Sequence, residues 1–135
     1  MAKRRVASYE DLDVYKLALE LQHHIFRVSK AWPRDERYSL IDQIRRAARS
    51  IGANIAEAWA KRRYPAHFVS KLSDADGEQN ETRHWLRTAL ASRYLNTTEY
   101  AELDEACKRI GAMLGRMMAD AESWTVGGKA ATVGQ

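Results

Sequence analysis

Between Leu40 and Trp59 the apolar residues fall at Leu40, Ile44, Ala47, Ile51, Ile55, Ala58 and Trp59. Steps of three and four return a side chain to one face of a helix, and would scatter it over both faces of a strand. A helix over about 36–62 is therefore predicted. Three other stretches carry the same period. Leu17, Leu21 and Val28, flanked by Val14, Ala18 and Ile25, mark a first helix over about 8–30, with Ser8 and Asp11 spaced as an N-terminal cap. Phe68, Val69, Leu72, Ala75, Leu86 and Leu90 mark a third, opened by Pro65 and running to about Tyr94. Leu103, Ala106, Cys107, Ile110, Met113, Leu114, Met117 and Ala121 mark a fourth, capped by Asn96 or Thr97 with Glu99 nearby.

Only 2 prolines and 7 glycines occur in 135 residues, and both prolines lie between periodic stretches, so helices joined by short loops are favoured over strands. The expected fold is all-α, an antiparallel up-down-up-down four-helix bundle forming one domain over residues 8–124. A basic N-terminal tail is expected at 1–7 and a disordered C-terminal tail at 125–135, where glycines interrupt any period. No apolar run approaches the roughly 20 residues of a membrane span. The opening MAKRRVASYEDLDVY lacks the apolar core of a secretory signal, and a single cysteine excludes an internal disulfide. A cytoplasmic location and no membrane partner are the expectation.

The second helix has a back as informative as its front. Arg45 and Arg49 lie opposite the core stripe with Asp42, and Arg46 sits at one flank. Further along, the same outer face becomes Gly52, Ala53, Ala56 and Ala60. Alanine is the best helix former, but a row of small side chains also lets another backbone come close. The first helix adds a second apolar set, Leu12, Tyr15, Leu19 and Phe26, nearly opposite its core stripe. Large apolar patches rarely stay exposed, so these four residues with Ala53, Ala56 and Ala60 are the expected interface of a homo-oligomer.

Polar residues also fall beside the apolar stripes: Asn54 and Glu57 in the second helix, Asp76, Gln79 and Arg83 in the third. A buried charge needs a partner, so a structural polar layer is expected in which Arg83 pairs with Glu57 or Asp76. Asp104 and Glu105 read as solvated helix surface.

Lys and Arg number 22 against 18 Asp and Glu, a net charge of +4. Spacings of three and four on one helix bring cations close enough to share a phosphate backbone. Arg45, Arg46 and Arg49 are the first candidates for nucleic-acid contact, and Lys61, Arg62 and Arg63 the second, although the latter also complement the helix dipole. Such a surface admits an acidic partner, either RNA or DNA or an acidic protein. Enzyme signals are nearly absent: no paired cysteines, no HExxH, no glycine-rich phosphate loop and no GxSxG occur. Neither catalytic residues nor a metal or cofactor site is expected.

The runs YEDLDVYKLALEL and IDQIRRAARSIGANIAEAWAKR and the helix ending in WLRTAL resemble the bacterial four-helix bundle proteins encoded by intervening sequences in 23S ribosomal RNA genes. The most telling segment is QIRRAARSIGANIAEA at residues 43–58, and the resemblance extends over about 9–124. It implies a homopentamer whose basic surface is proposed to bind nucleic acid, in a family not known for enzymes. The accessory variability determinant of diversity-generating retroelements is similar: a pentameric barrel that binds a reverse transcriptase and its RNA. Ala58 stands where the family usually has glycine, and Glu81, Thr82 and Arg83 replace its usual Glu–Leu–Glu run.

Overall fold

A computed structural model describes residues 4–125 and 132–133, with backbone alone for Arg4, Arg5, Thr132 and Val133. Its long helices are α1 (Asp13–Ser29), α2 (Leu40–Ala60), α3 (Pro65–Ala91) and α4 (Thr97–Ala119), and a short α5 (Ala121–Trp124) follows. Consecutive long helices are neighbours and α4 returns to α1, whereas the backbones of α1 and α3, like those of α2 and α4, do not approach closely. The chain is thus an all-α, antiparallel up-down-up-down bundle in which each helix has two neighbours and one diagonal.

The four apolar stripes meet on the common axis. Ile25 from α1, Ile44, Ile51 and Ile55 from α2, Phe68, Leu72 and Leu86 from α3, and Leu103, Ile110 and Leu114 from α4 are all fully buried. Burying each such side chain contributes about 1.5–3 kcal/mol, far more than helix propensity differences. Aromatic pairs close the two ends. Trp124 of α5 meets Trp59 edge-on at 6.3 Å, and Trp32 meets Tyr94 at 5.9 Å.

Helix boundaries differ from the periodicity at two places. Ser8 and Asp11 do form a reciprocal capping box, but on a single 3-10 turn, Tyr9–Asp11. Leu12 then takes extended backbone (φ −70°, ψ 129°) and buries its side chain, so α1 starts at Asp13. Likewise Arg34–Glu36 is a separate 3-10 turn, because the Glu36 carboxylate accepts from Ser39 Oγ (2.6 Å), from Tyr94 Oη (2.8 Å) and from the Leu40 amide. Those bonds hold the Glu36 carboxyl below its usual range. Asn96, not Thr97, caps α4, in a capping box with Glu99.

At the chain ends β1 (Arg4–Arg5) pairs antiparallel with β2 (Thr132–Val133), and Val6 is buried. The remaining residues of the expected tails, 1–3, 126–131 and 134–135, lie outside the described residues. No helix among the described residues is long and apolar enough to cross a membrane.

α3 ends with Arg93 at φ 65°, the left-handed conformation that lets the Tyr94 amide reach back to the Ala89 carbonyl (2.9 Å). Glycine carries no Cβ penalty there. Arg93→Gly is expected to raise the unfolding free energy by about 1 kcal/mol in urea denaturation, and a loss of stability would show that the arginine side chain matters more than its backbone.

Candidate functional site

The α1/α2 face concentrates positive charge on one aromatic ring. Phe26 and Lys30 come from the end of α1, Arg45 and Arg49 from the first half of α2. The Arg45 guanidinium carbon lies 4.5 Å from the Phe26 ring centroid, Lys30 Nζ 4.8 Å and the Arg49 guanidinium carbon 5.6 Å. Arg45 Nε donates to Ser29 Oγ at 2.9 Å, and Ser29 in turn donates to the Phe26 carbonyl at 3.1 Å. Partial burial, and then the neighbouring charge of Arg49, push the Arg45 guanidinium below its ordinary pKa. Among the described residues no carboxylate pairs with Lys30, Arg45 or Arg49.

The arginine run thus divides into separate roles. Arg45 is half-buried and pinned against α1. Arg46 gives its Nε to both oxygens of Asp42 (3.1 and 2.9 Å), an exposed pair one turn apart worth about 0.3–0.5 kcal/mol. Arg49 is exposed and carries no such partner. At the other end of α2, Arg62 stacks on Trp59 at 3.6 Å and donates to its carbonyl at 3.0 Å, while Lys61 and Arg63 are exposed. Residues 45 and 62 stand about 25 Å apart along a helix of 1.5 Å rise, so the two clusters cannot act on one phosphate.

The expected oligomer interface needs correction. Leu12 is 1% exposed and belongs to the core, because the extended turn before α1 points it inward. Tyr15 is half-buried, edge-on to Tyr9 at 4.9 Å and packed 3.5 Å from the position a Cβ would take at Gly52. Phe26 is roofed by cations, and Leu19 is half-buried. Tyr38 and Tyr64 are the large hydrophobics left exposed among the described residues. Of this second apolar face of α1, Leu12 is taken into the core, while Tyr15, Leu19 and Phe26 stay half-buried. Ala53 and Ala60 do face solvent, and Ala56 is half-buried.

The polar layer also differs in its pairing. Arg83 Nε donates to Asp104 at 2.8 Å, joining α3 to α4 rather than meeting Glu57 or Asp76. Asp104 is buried, not solvated surface. Glu57 instead binds Lys71 Nζ at 2.7 Å, Asp76 accepts from Gln79 at 3.0 Å, and Asn54 donates to the Ser50 carbonyl at 2.9 Å. Periodicity places a residue on the flank of its helix but does not say which neighbour lies on that flank. Lys71 faces α2 and Arg83 faces α4. Beside this seam, a Cβ at Gly111 would come 2.9 Å from Gln79 Nε2, and burial pushes the Cys107 thiol up to about 12, with Asp104 adding to the effect. Burial thus favours the protonated thiol over the thiolate that a nucleophile needs.

Two open grooves flank the bundle. Between α2 and α3, Asn54, Ser73, Asp74, Gly77, Glu78 and Glu81 line about 340 Å³. Burial, then Glu81 and Asp74, push the Glu78 carboxyl above its usual range. Between α1 and α4, Asp13, Leu17, Arg109, Ala112, Met113 and Arg116 line about 440 Å³.

Residues 10–116 match the model of the 23S rRNA-intervening sequence protein family, and the chain belongs to that family. Its fold is similar to a crystal structure from Bacteroides thetaiotaomicron, a protein of unknown function from the S23 ribosomal protein family. The two are 29% identical with a TM-score of 0.71 over 78% of this chain and 95% of that one. No curated protein matches the chain significantly.

A carboxyl whose pKa is higher folded than unfolded weakens the fold wherever it is ionised. In the separated chain Glu78→Gln should therefore unfold at a higher temperature than wild type at pH 7, and the gap should close as pH falls from above the ordinary glutamate range down into it. A variant less stable at pH 7 would mean that Glu78 is held by a favourable partner.

Proposed function

We propose that the chain is a non-catalytic, self-associating bundle that binds structured nucleic acid through the basic α1/α2 face. The observation that carries this reading is the group of Lys30, Arg45 and Arg49 around Phe26, none of them ion-paired to a carboxylate among the described residues. Cations packed together raise one another's energy, and an incoming phosphate relieves that repulsion while releasing counterions. The ring supports the guanidiniums by about 0.5–2 kcal/mol each, so they are ordered before a ligand arrives. Such contacts set position and carry no base code, so binding is weakly dependent on sequence. Arg46, engaged by Asp42, is a lesser contributor than Arg49. Lys61 and Arg63, remote from Phe26, form a second contact that a long or folded ligand can reach.

The family is named for intervening sequences of 23S rRNA, which favours RNA over DNA as the ligand. Its resemblance to ring-forming bundles supports a homo-oligomer, with five copies the expected number, working in the cytoplasm. In a ring the α1/α2 faces repeat, so several weak phosphate contacts act on one nucleic acid. The buried, protonated Cys107 agrees with a binding role rather than a catalytic one.

A salt titration of binding to an RNA hairpin tests the reading. Affinity should fall steeply as salt rises, and Arg49→Ala should weaken binding while lowering the slope by about 1. Affinity independent of salt would contradict phosphate contact, and an unchanged slope in the variant would remove this face from the interface. Capture of an acidic protein with no RNA affinity would turn the same surface into a protein dock.

A further inference from the structure

The two grooves lie on opposite sides of the bundle, because α1/α4 and α2/α3 share no helix and their helices are adjacent or diagonal to one another. Their charges are opposite. Arg109 and Arg116 are exposed on the α1/α4 side, and neither has an ion-pair partner among the described residues. Asp74, Glu78 and Glu81 line the α2/α3 side, where the one cation close by is Lys71, 3.8 Å from Asp74 and already 2.7 Å from Glu57. Glu81 also accepts from Trp85 Nε1 at 3.2 Å. The acidic groove thus sets three carboxylates against one lysine already engaged by Glu57, and the basic groove sets two arginines against one acid, Asp13, so the two carry opposite net charge.

Spacing agrees as well. Arg109 and Arg116 are seven residues apart, and so are Asp74 and Glu81. Seven residues of helix rise about 10 Å, two turns on one face. Two guanidiniums on a single helix can then meet carboxylates at both ends of the acidic groove together.

The glycines supply a separate observation. Gly77 lines the acidic groove and Gly115 adjoins Arg116; both are exposed in mid-helix, and a Cβ at either would meet nothing within 4 Å. A mid-helix glycine costs about 1 kcal/mol relative to alanine, and no contact inside the chain requires it at these positions. A second helix lying against them would, since only glycine lets backbones approach so closely.

We propose that the α4 edge of one copy, bearing Arg109 and Arg116, seats in the acidic α2/α3 groove of the next copy. This rests on the self-association reading and names the surfaces that mate. Because the two surfaces differ and face opposite ways, the contact is heterologous. Copies join head to tail, in a ring where each contact turns the next copy and in an open series where it does not. The α1/α2 face is left outside the contact, free to take phosphate on every copy.

Light scattering on purified full-length chain tests the contact. Wild type should show the mass of several copies. Arg109→Glu with Arg116→Glu should show the mass of one, and so should Glu78→Arg with Glu81→Arg. Mixing the two reversed variants should restore association, since each then offers the charge the other lacks. Gly77→Gln is a second probe: its Cβ meets nothing within 4 Å and it improves helix propensity, so it should keep or raise the melting temperature yet still lose assembly. Circular dichroism confirms that each variant is folded. A monomeric wild type would overturn self-association altogether. An oligomer unaffected by the reversals or by Gly77→Gln would overturn this contact alone, and single reversals that dissociate without recovering on mixing would show that the two grooves do not pair with each other.

Discussion

Four helices, each with one apolar stripe, can hide those stripes from water together only by turning them toward a shared axis. Everything else in the molecule follows from that. Once Ile44, Ile51 and Ile55 face inward, Arg45 and Arg49 must emerge on the α1 side and Glu57 on the α3 side. Once Leu72 and Leu86 face inward, Arg83 is carried to α4, where it finds Asp104. The core thus sorts charge into sectors: cations on α1/α2, acids on α2/α3, a paired seam on α3/α4, and unpaired arginines beside the α1/α4 groove.

That sorting explains why residues of one type do different work. Arg46 is neutralised by Asp42 one turn away, while Arg83 bridges two helices through a buried carboxylate. Arg45 is fixed by Ser29 and the Phe26 ring, and Arg49 stays open to solvent over the same ring. A paired arginine adds little to the long-range field, whereas one held on an aromatic ring keeps its full charge available to a ligand. The face proposed to bind nucleic acid is the one where cations have aromatic support instead of acids.

Much of this was legible in the residue order. Stripes at Leu40–Trp59 and Leu103–Met117 reveal helices because burial rewards one period over all others. The capping pairs Ser8 with Asp11 and Asn96 with Glu99 are local and were readable, although the first caps a short turn. Pairing was not readable, because a flank position has two candidate neighbours and only the packed bundle chooses between them. Leu12 shows the same limit: helical spacing put it outside, and the extended backbone before α1 turns it in. Phe26 is the reverse case, an apolar residue read as awaiting another copy and found beneath three cations of its own chain.

In the proposed assembly the grooves take the part that the first helix was expected to take. Leu12 is taken into the core and Tyr15, Leu19 and Phe26 are half-buried, so the proposed contact rests on charge rather than on an apolar face of α1.

The central claim, that phosphate is taken on the cation-roofed Phe26 face, is tested most directly by hydrogen–deuterium exchange of the full-length protein with and without an RNA hairpin. Slower exchange confined to the end of α1 and the first half of α2 is the expected result. Protection spread evenly over the bundle, or confined to α3, would contradict it.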